Sequence, residues 1–170
     1  MRDLYLVDGY NVIFWEPEMF DRTDLESSRK KLIDLMQDYG AHNNIEVIIV
    51  FDGQGKSIKV KAERLSDTFT VIFTPARMTA DSYIEKESYL RREEYRSIYV
   101  VTSDGPEQNQ ILGNGAYRVA VGDLMRSVSE DKARQSHFIK TNNRANLRSE
   151  IGRAIPDSVA EKLDRLRGKK

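Results

Sequence analysis

The chain has 170 residues, of which 39% are hydrophobic and 32% are charged, which is enough apolar material for one core beneath a strongly charged surface. It contains no cysteine, and this excludes disulfides, thiolate zinc sites and cysteine nucleophiles. The formal net charge is zero, but residues 1–125 carry 15 Lys and Arg against 21 Asp and Glu, whereas residues 126–170 carry 12 against 6.

Apolar runs alternate with segments of helical periodicity along most of the chain. In its first half, the sequence predicts strands over 4–7, 46–51 and 68–73, a helix over 25–39 between the first two strands, and a polar basic segment over 53–67 before the third. A helix over 80–94 with Thr79 as N-cap, a strand over 97–102, a helix from Pro106 toward Leu112 and a short strand over 117–121 are predicted next. The remainder is predicted to form a helix from Asp123 to about His137, a break over 141–144 and a last helix over 156–166. Strands that alternate with helices imply right-handed crossovers, and therefore an α/β fold with a mostly parallel sheet.

The domain prediction is one compact domain over residues 1–140 and a basic helical extension over 141–170. An acidic body with a basic tail is common in proteins that meet nucleic acid, although a solvated charged helix gives the same pattern. No secretory signal or membrane-spanning run is visible, so we expect a cytoplasmic protein with no membrane partner. The sequence gives no indication of oligomeric state.

Acidic residues stand where the predicted strands end. Asp8, Asp52 and Asp104 each follow a strand, and Asp81 begins the helix after another strand, with Glu85 one helical turn later. The carboxyl ends of parallel strands meet at one edge of the sheet, which is where open α/β sheets bind ligands. We therefore expect these carboxylates to converge. Each aspartate taken alone also fits an ordinary turn or helix-start residue.

Clustered carboxylates repel one another unless a divalent cation lies among them. Oxygen ligands favour hard ions, so the expected cofactor is Mg²⁺ or Mn²⁺, which can activate water and stabilise charge on a phosphate. Asn11 follows the first strand by a few residues, in Asp8-Gly9-Tyr10-Asn11. Its amide is expected to face the carboxylates or a phosphate, or to cap the next turn.

Cations near this edge are candidates for contacts with the phosphates of a nucleic acid. The candidates are Lys56, Lys59, Lys61 and Arg64 in the segment after Asp52, and Arg77 just before Asp81. The lysine run also fits a solvated loop or an edge strand protected by lysine. Trp15 is a candidate base-stacking residue, although a loop anchor is the commoner role for such a tryptophan. His42 and His137, the only histidines, lie outside these motifs and are interpreted as surface residues.

The ordered set of motifs resembles the NYN-domain family, the branch of PIN-like ribonucleases that includes the bacterial YacP-like proteins. The motifs are 7–11 (Val-Asp-Gly-Tyr-Asn), 50–53 (Val-Phe-Asp-Gly), 79–81 (Thr-Ala-Asp) and 101–104 (Val-Thr-Ser-Asp), and the stretch from Gly113 to Arg126 also resembles the YacP-like pattern. Each motif is weak alone, whereas their order over roughly residues 1–126 is specific.

This resemblance implies a PIN-like three-layer α/β/α fold and RNA cleavage that depends on Mg²⁺ or Mn²⁺. Carried over by position, Asp8, Asp52, Asp81 and Asp104 would form the acidic metal site, with Asn11 as the catalytic polar companion. Similar YacP-like proteins are endoribonucleases that act on messenger RNA at the ribosome, so messenger RNA and the ribosome are the expected partners.

A second hypothesis is a non-catalytic module that binds RNA or a ribosome on the same fold. Intact carboxylates favour the enzyme, because a binder has no need of a repulsive cluster. A receiver domain would need an acidic pair after the first strand and a lysine after the last one. A haloacid-dehalogenase-like phosphatase would need an acid where Tyr10 stands, and a Rossmann domain would need more glycines than Gly9.

Overall fold

The computed structural model describes residues 1–53, 58–103 and 113–154, with side chains as far as residue 146. Its elements are β1 (Asp3–Asp8), α1 (Gly9–Trp15), α2 (Leu25–Asn43), β2 (Ile45–Phe51), β3 (Lys61–Ser66), β4 (Phe69–Phe73), α3 (Ala80–Leu90), β5 (Ser97–Thr102), β6 (Tyr117–Ala120) and α4 (Val121–Ala154). No helix among the described residues is long and apolar enough to cross a membrane.

The described strands form one six-stranded sheet in the order β3-β4-β2-β1-β5-β6. All neighbouring pairs are parallel except β3 and β4, which are antiparallel. In the central pair, Asp8 lies opposite Val50, one residue before the end of β2. The strands therefore end at nearly the same level, and the turns that follow β1, β2 and β5 start from one edge of the sheet.

Helices cover both faces of this sheet. On one face, α1, α2 and the start of α4 contribute buried residues such as Ile13, Met36 and Leu124 to one apolar cluster. On the other face, α3 packs through Ala80 and Ile84 against a second buried cluster that includes Leu6 and Val100. The expected α/β fold with helices in two outer layers is confirmed.

Every strand predicted from the apolar runs is present, and two local predictions are wrong. Residues 9–15 form the helix α1, where only a turn was expected. The helix α3 ends at Leu90 rather than at residue 94, because Arg91 leaves helical geometry and residues 91–94 turn back toward β5. The polar segment after Asp52 contains an edge strand, β3, which was the alternative interpretation of its lysines.

The break expected over 141–144 is also wrong, because α4 continues through it. Threonine and asparagine are weaker helix formers than alanine by only about 0.7 kcal/mol or less each, and no glycine or proline interrupts the segment. The Thr141 hydroxyl donates to the carbonyl of His137 at 2.9 Å, so its polar group is satisfied within the helix. The helices predicted near Pro106 and over 156–166 lie outside the described residues.

The chain divides into two compact units, residues 1–129 and 130–170. The first unit contains all six strands, both apolar clusters and the three shorter helices. The second contains the later part of α4, where Phe138 and Ile139 are exposed. The domain boundary predicted between residues 140 and 141 stays a prediction.

Candidate functional site

The turn after β1 fixes Asp8 at the sheet edge. Asp8 is the last residue of β1 and the N-cap of α1, and its Oδ1 accepts the backbone N–H of Asn11 at 3.2 Å. The Asn11 side-chain amide donates to the other carboxylate oxygen at 3.3 Å. Asn11 therefore hydrogen-bonds both carboxylate oxygens of Asp8. This is the first of the two roles expected from the sequence, in which its amide faces the carboxylates.

Gly9 is required here by close packing. A Cβ at this position would lie 2.2 Å from the ring of Phe51 at the end of β2. Because the φ angle of Gly9 lies outside the left-handed region, the restriction comes from the neighbouring ring. The glycine lets β1 and β2 end side by side, and this brings the residues that follow them close together.

The turn after β2 is locked to the end of β4. The backbone N–H of Gly53 donates to the buried Thr74 hydroxyl at 3.1 Å, and the N–H of Thr74 donates to the Phe51 carbonyl at 3.0 Å. A Cβ on Gly53 would lie only 1.5 Å from the Thr74 carbonyl oxygen, so no larger residue fits. Asp52, between these anchored residues, is held at the same edge as Asp8.

Asp52 reaches across this edge to α3. Its carboxylate accepts the backbone N–H of Ala80, the first residue of the helix. Thr79 is the N-cap, as the sequence predicted, and accepts the N–H of Ser82 at 3.1 Å. Two side chains thus hold the start of α3, and the next residue, Asp81, is exposed in its first turn beside Asp52.

The three carboxylates interact electrostatically. Burial raises the pKa of Asp8 above its ordinary value, and the negative charges of Asp52 and Asp81 raise it further. The hydrogen bond from the Asn11 backbone opposes this rise. The fold therefore brings Asp8, Asn11, Asp52 and Asp81 together at the carboxyl edge of the sheet.

The donor set suits a hard divalent ion, because it consists of carboxylate and amide oxygens. Within residues 1–53, 58–103 and 113–154, however, no three acidic or histidine side chains are close enough to hold a metal ion by themselves. Asp104, the fourth predicted ligand, lies outside the described residues. The chemistry of the residues fits Mg²⁺ or Mn²⁺, and the complete ligand set stays a prediction.

The candidate RNA-binding cations are unevenly placed. Lys61 lies opposite Phe73, at the end of β4 nearest the acidic edge, where it pairs with Glu63 at 2.6 Å. Arg64 lies three residues further along β3, toward the opposite edge of the sheet, and pairs with Asp67 at 3.2 Å. Lys59 is exposed, and Lys56 lies outside the described residues. Of the two candidates that lie in β3, Lys61 is near the acidic edge and Arg64 is further from it.

The other candidates near the site are exposed. Arg77 is an exposed residue in the segment between β4 and α3, four residues before Asp81. Trp15 ends α1 with 42% of its surface exposed, so its ring is only partly buried. Both histidines are exposed, as expected. The roles of Arg77 and Trp15 in binding RNA stay predictions.

Sequence reasoning missed a cavity beside the acidic edge, between α3 and the strands β5 and β6. Its volume is about 640 Å³, and Asp81, Glu85, Thr102 and Arg118 are among the residues that line it. Arg118 drew no attention because it lies within a short strand pattern, and the resemblance of the stretch from Gly113 to Arg126 singled out no side chain. The pairing of β5 with β6, which a single sequence does not reveal, brings it beside Val100.

Comparison with known proteins identifies relatives over nearly the whole chain. Residues 5–168 match the family model described as the YacP-like NYN domain. A curated relative, the uncharacterized protein YacP of Bacillus subtilis strain 168, is 37% identical over 129 residues. That alignment covers 74% of this chain and 75% of the relative.

Solved structures show the same fold. A crystal structure of Rae1 (YacP) from Bacillus subtilis matches with a TM-score of 0.68 and 30% identity, over 97% of this chain and 94% of that one. A tryptophan-to-leucine mutant of Rae1 matches with a TM-score of 0.67 and 32% identity, over 83% of each chain.

Proposed function

This chain belongs to the YacP-like NYN domain family, and we propose that it is a divalent-metal-dependent endoribonuclease that hydrolyses phosphodiester bonds within RNA. Membership in this family is consistent with an RNA-related nuclease domain. Metal dependence, cleavage within the strand and the choice of messenger RNA are the proposed part.

The observation that carries the proposal is that Asp8 lies within electrostatic range of both Asp52 and Asp81 at one sheet edge. Burial raises the pKa of Asp8, and the charges of Asp52 and Asp81 raise it further, so keeping this carboxylate ionised costs free energy. Such a cost has a use if the carboxylates bind a cation during function. A module that only binds RNA would be served better by neutral or basic residues at this edge.

The proposed metal ligands are Asp8, Asp52 and Asp81, with Asp104 completing the set. When bound, the ion would activate a water molecule and stabilise negative charge on the phosphate. Asn11 orients Asp8 by donating to both of its carboxylate oxygens, once through its backbone and once through its side chain. The hydrogen bond from Ala80 in turn orients Asp52.

The RNA would reach an edge whose own charge is negative, so cations beside it must hold the phosphates. Lys61 and Arg77 are the described cations best placed for this, one at the near end of β3 and the other in the segment before α3. Messenger RNA as substrate and the ribosome as partner stay expectations from the family resemblance. The experiment therefore includes both free and ribosome-bound RNA.

The test is incubation of the purified protein with end-labelled RNA in Mg²⁺, in Mn²⁺ or in a chelator, with and without translating ribosomes. We expect internal cuts that require the metal. Asp8→Asn should abolish them, because it removes one ligand charge while preserving the side-chain shape. The matched control is Asp34→Asn, which removes an exposed carboxylate from α2 and should cleave normally.

Circular dichroism of both variants separates loss of chemistry from loss of fold. RNA that is bound but never cut in either metal, with or without ribosomes, would contradict the proposal and favour a non-catalytic RNA-binding module. Cleavage that persists in Asp8→Asn at the level of Asp34→Asn would contradict the assigned site.

A further inference from the structure

The cavity between α3 and the sheet lies next to the proposed cleavage site. It shares Asp81 with the acidic edge, and it continues along α3 past Glu85 to Tyr89. The opposite wall comes from β5 and β6. Its volume of about 640 Å³ falls within the range of small-molecule sites and exceeds the size of one nucleotide. An RNA strand that passes over Asp81 would therefore meet this opening.

Two polar atoms buried in this cavity lack a protein partner. Among the described side chains, the Nε of Arg118 and the hydroxyl of Thr102 are buried and form no hydrogen bond. A buried unpaired donor is costly, and such atoms in a folded protein call for an explanation. Both residues line the cavity, so a change of side-chain rotamer would bring each of these buried groups to a ligand there.

The cavity has no net formal charge, because Asp81 and Glu85 balance Lys86 and Arg118. This balance disfavours a bare anion and suits a neutral group that offers both acceptors and donors. Tyr89 and Leu90, which line the cavity and are exposed, supply apolar surface suitable for the face of a flat ring. A nucleobase has these properties, since its faces are apolar and its edge carries hydrogen-bonding groups.

The wall near Arg118 is already fixed before any ligand binds. The Asn114 side chain donates to the hydroxyl of Ser88 on α3 and accepts the N–H of Ala116 at 3.1 Å. Asn114 is therefore occupied, and Arg118 and Thr102 remain available to read a base edge. A wall fixed in this way lowers the ordering cost of binding.

We propose that this cavity binds one nucleobase of the RNA strand, from a nucleotide next to the cleaved bond, and that Arg118 and Thr102 hydrogen-bond its edge. The position of this base relative to the cut rests on the proposed nuclease function. Binding of a base does not rest on it, because the cavity and its unpaired donors exist without metal or cleavage. The consequence is a base preference at one fixed position beside the cut.

The binding test follows the Arg118 Nε–H signal by NMR while the protein is titrated, in chelator, with each of the four ribonucleoside 5′-monophosphates. We expect a saturable shift with at least one nucleotide and none with ribose 5-phosphate, which lacks a base. Thr102→Val removes a hydroxyl at nearly constant volume and should weaken that binding several-fold. Thr141→Val makes the same change at an exposed position and should bind like the parent.

The cleavage test uses short RNA oligonucleotides that differ at one position at a time. The parent should prefer one base beside the cut, and Arg118→Met should reduce that preference about tenfold, the worth of a hydrogen bond to a charged group. Arg2→Met, an exposed arginine at the amino end of the sheet, should keep it.

The two tests separate the two proposals. Nucleotide binding without cleavage would overturn the nuclease function and leave the base-binding cavity supported. Cleavage with no Arg118 response to any nucleotide, or an equal response to ribose 5-phosphate, would overturn the cavity proposal alone.

Discussion

Gly53→Ala tests whether the turn after β2 positions Asp52 as described. The added Cβ would lie 1.5 Å from the Thr74 carbonyl oxygen and 2.8 Å from its carbonyl carbon. These are backbone atoms, so no side-chain rotation relieves the clash. One strand end must move away from the other by about 2 Å to restore an ordinary contact of about 3.5 Å.

The cost has two sources. Overpacking of this kind costs about 1–3 kcal/mol. The displacement also strains the hydrogen bonds from Gly53 to the Thr74 hydroxyl and from Thr74 to Phe51, each worth about 1 kcal/mol. We therefore expect the free energy of unfolding to fall by about 3 kcal/mol, which lowers the melting temperature by about 6–12 °C in a chain of this size.

Urea and thermal unfolding measure this loss, and Gly113→Ala is the matched control because no atom lies within 4 Å of its added Cβ. The control should change stability by about 0.5 kcal/mol or less. RNA cleavage by Gly53→Ala should also fall, since a shift of Asp52 by about 1 Å can cost about 100-fold in rate. If Gly53→Ala matches the control in stability, the close approach of β2 and β4 at this turn is wrong.

Three further predictions concern charge. Burial and neighbouring carboxylates raise the pKa of Asp8 in the folded protein, so its ionisation costs stability at neutral pH and costs nothing below the ordinary Asp value of about 4. Asp8→Asn should therefore be more stable than the parent in urea at pH 7. This gain in stability should vanish near pH 3, about one unit below the ordinary Asp pKa. An equal gain at both pH values would show that ionisation of Asp8 is not its cause. Replacing Lys56, Lys59 and Lys61 with Gln should lower the slope of log RNA affinity against log salt by about 2, and an unchanged slope would show that these lysines do not contact phosphates. Removing residues 157–170 should slow cleavage of long or ribosome-bound RNA and spare a short oligonucleotide at saturating concentration, whereas equal loss on both substrates with a lower melting temperature would indicate that the tail packs as structure.

The strands could be predicted from the sequence because buried parallel strands are continuous apolar runs. Residues 46–51 and 97–102 are such runs, and both are strands with nearly those bounds. Helix ends were harder to predict from the sequence, since they depend on where the chain must turn. The helix α1 was missed because it has only seven residues and follows directly on β1, so its apolar residues give no full helical period.

The convergence of Asp8, Asp52 and Asp81 followed from topology, since parallel strands present their carboxyl ends at one edge. The contact between Asp52 and the first turn of α3 did not follow, because a hydrogen bond across 28 residues leaves no local pattern. The separation of Lys61 from Arg64 depends on the register of β3 against β4. The place of Arg118 in the cavity could not be predicted either, because strand pairing determines which residues line it.

The most direct test of the acidic site is Mn²⁺ binding by calorimetry, performed without RNA on the parent and on five single variants. Asp8→Asn, Asp52→Asn, Asp81→Asn and Asp104→Asn should each weaken binding by about tenfold or more, since a carboxylate ligand is lost. Asp34→Asn should bind Mn²⁺ like the parent. Equal affinity in all five variants, or no Mn²⁺ binding by the parent, would contradict a metal site at this edge of the sheet.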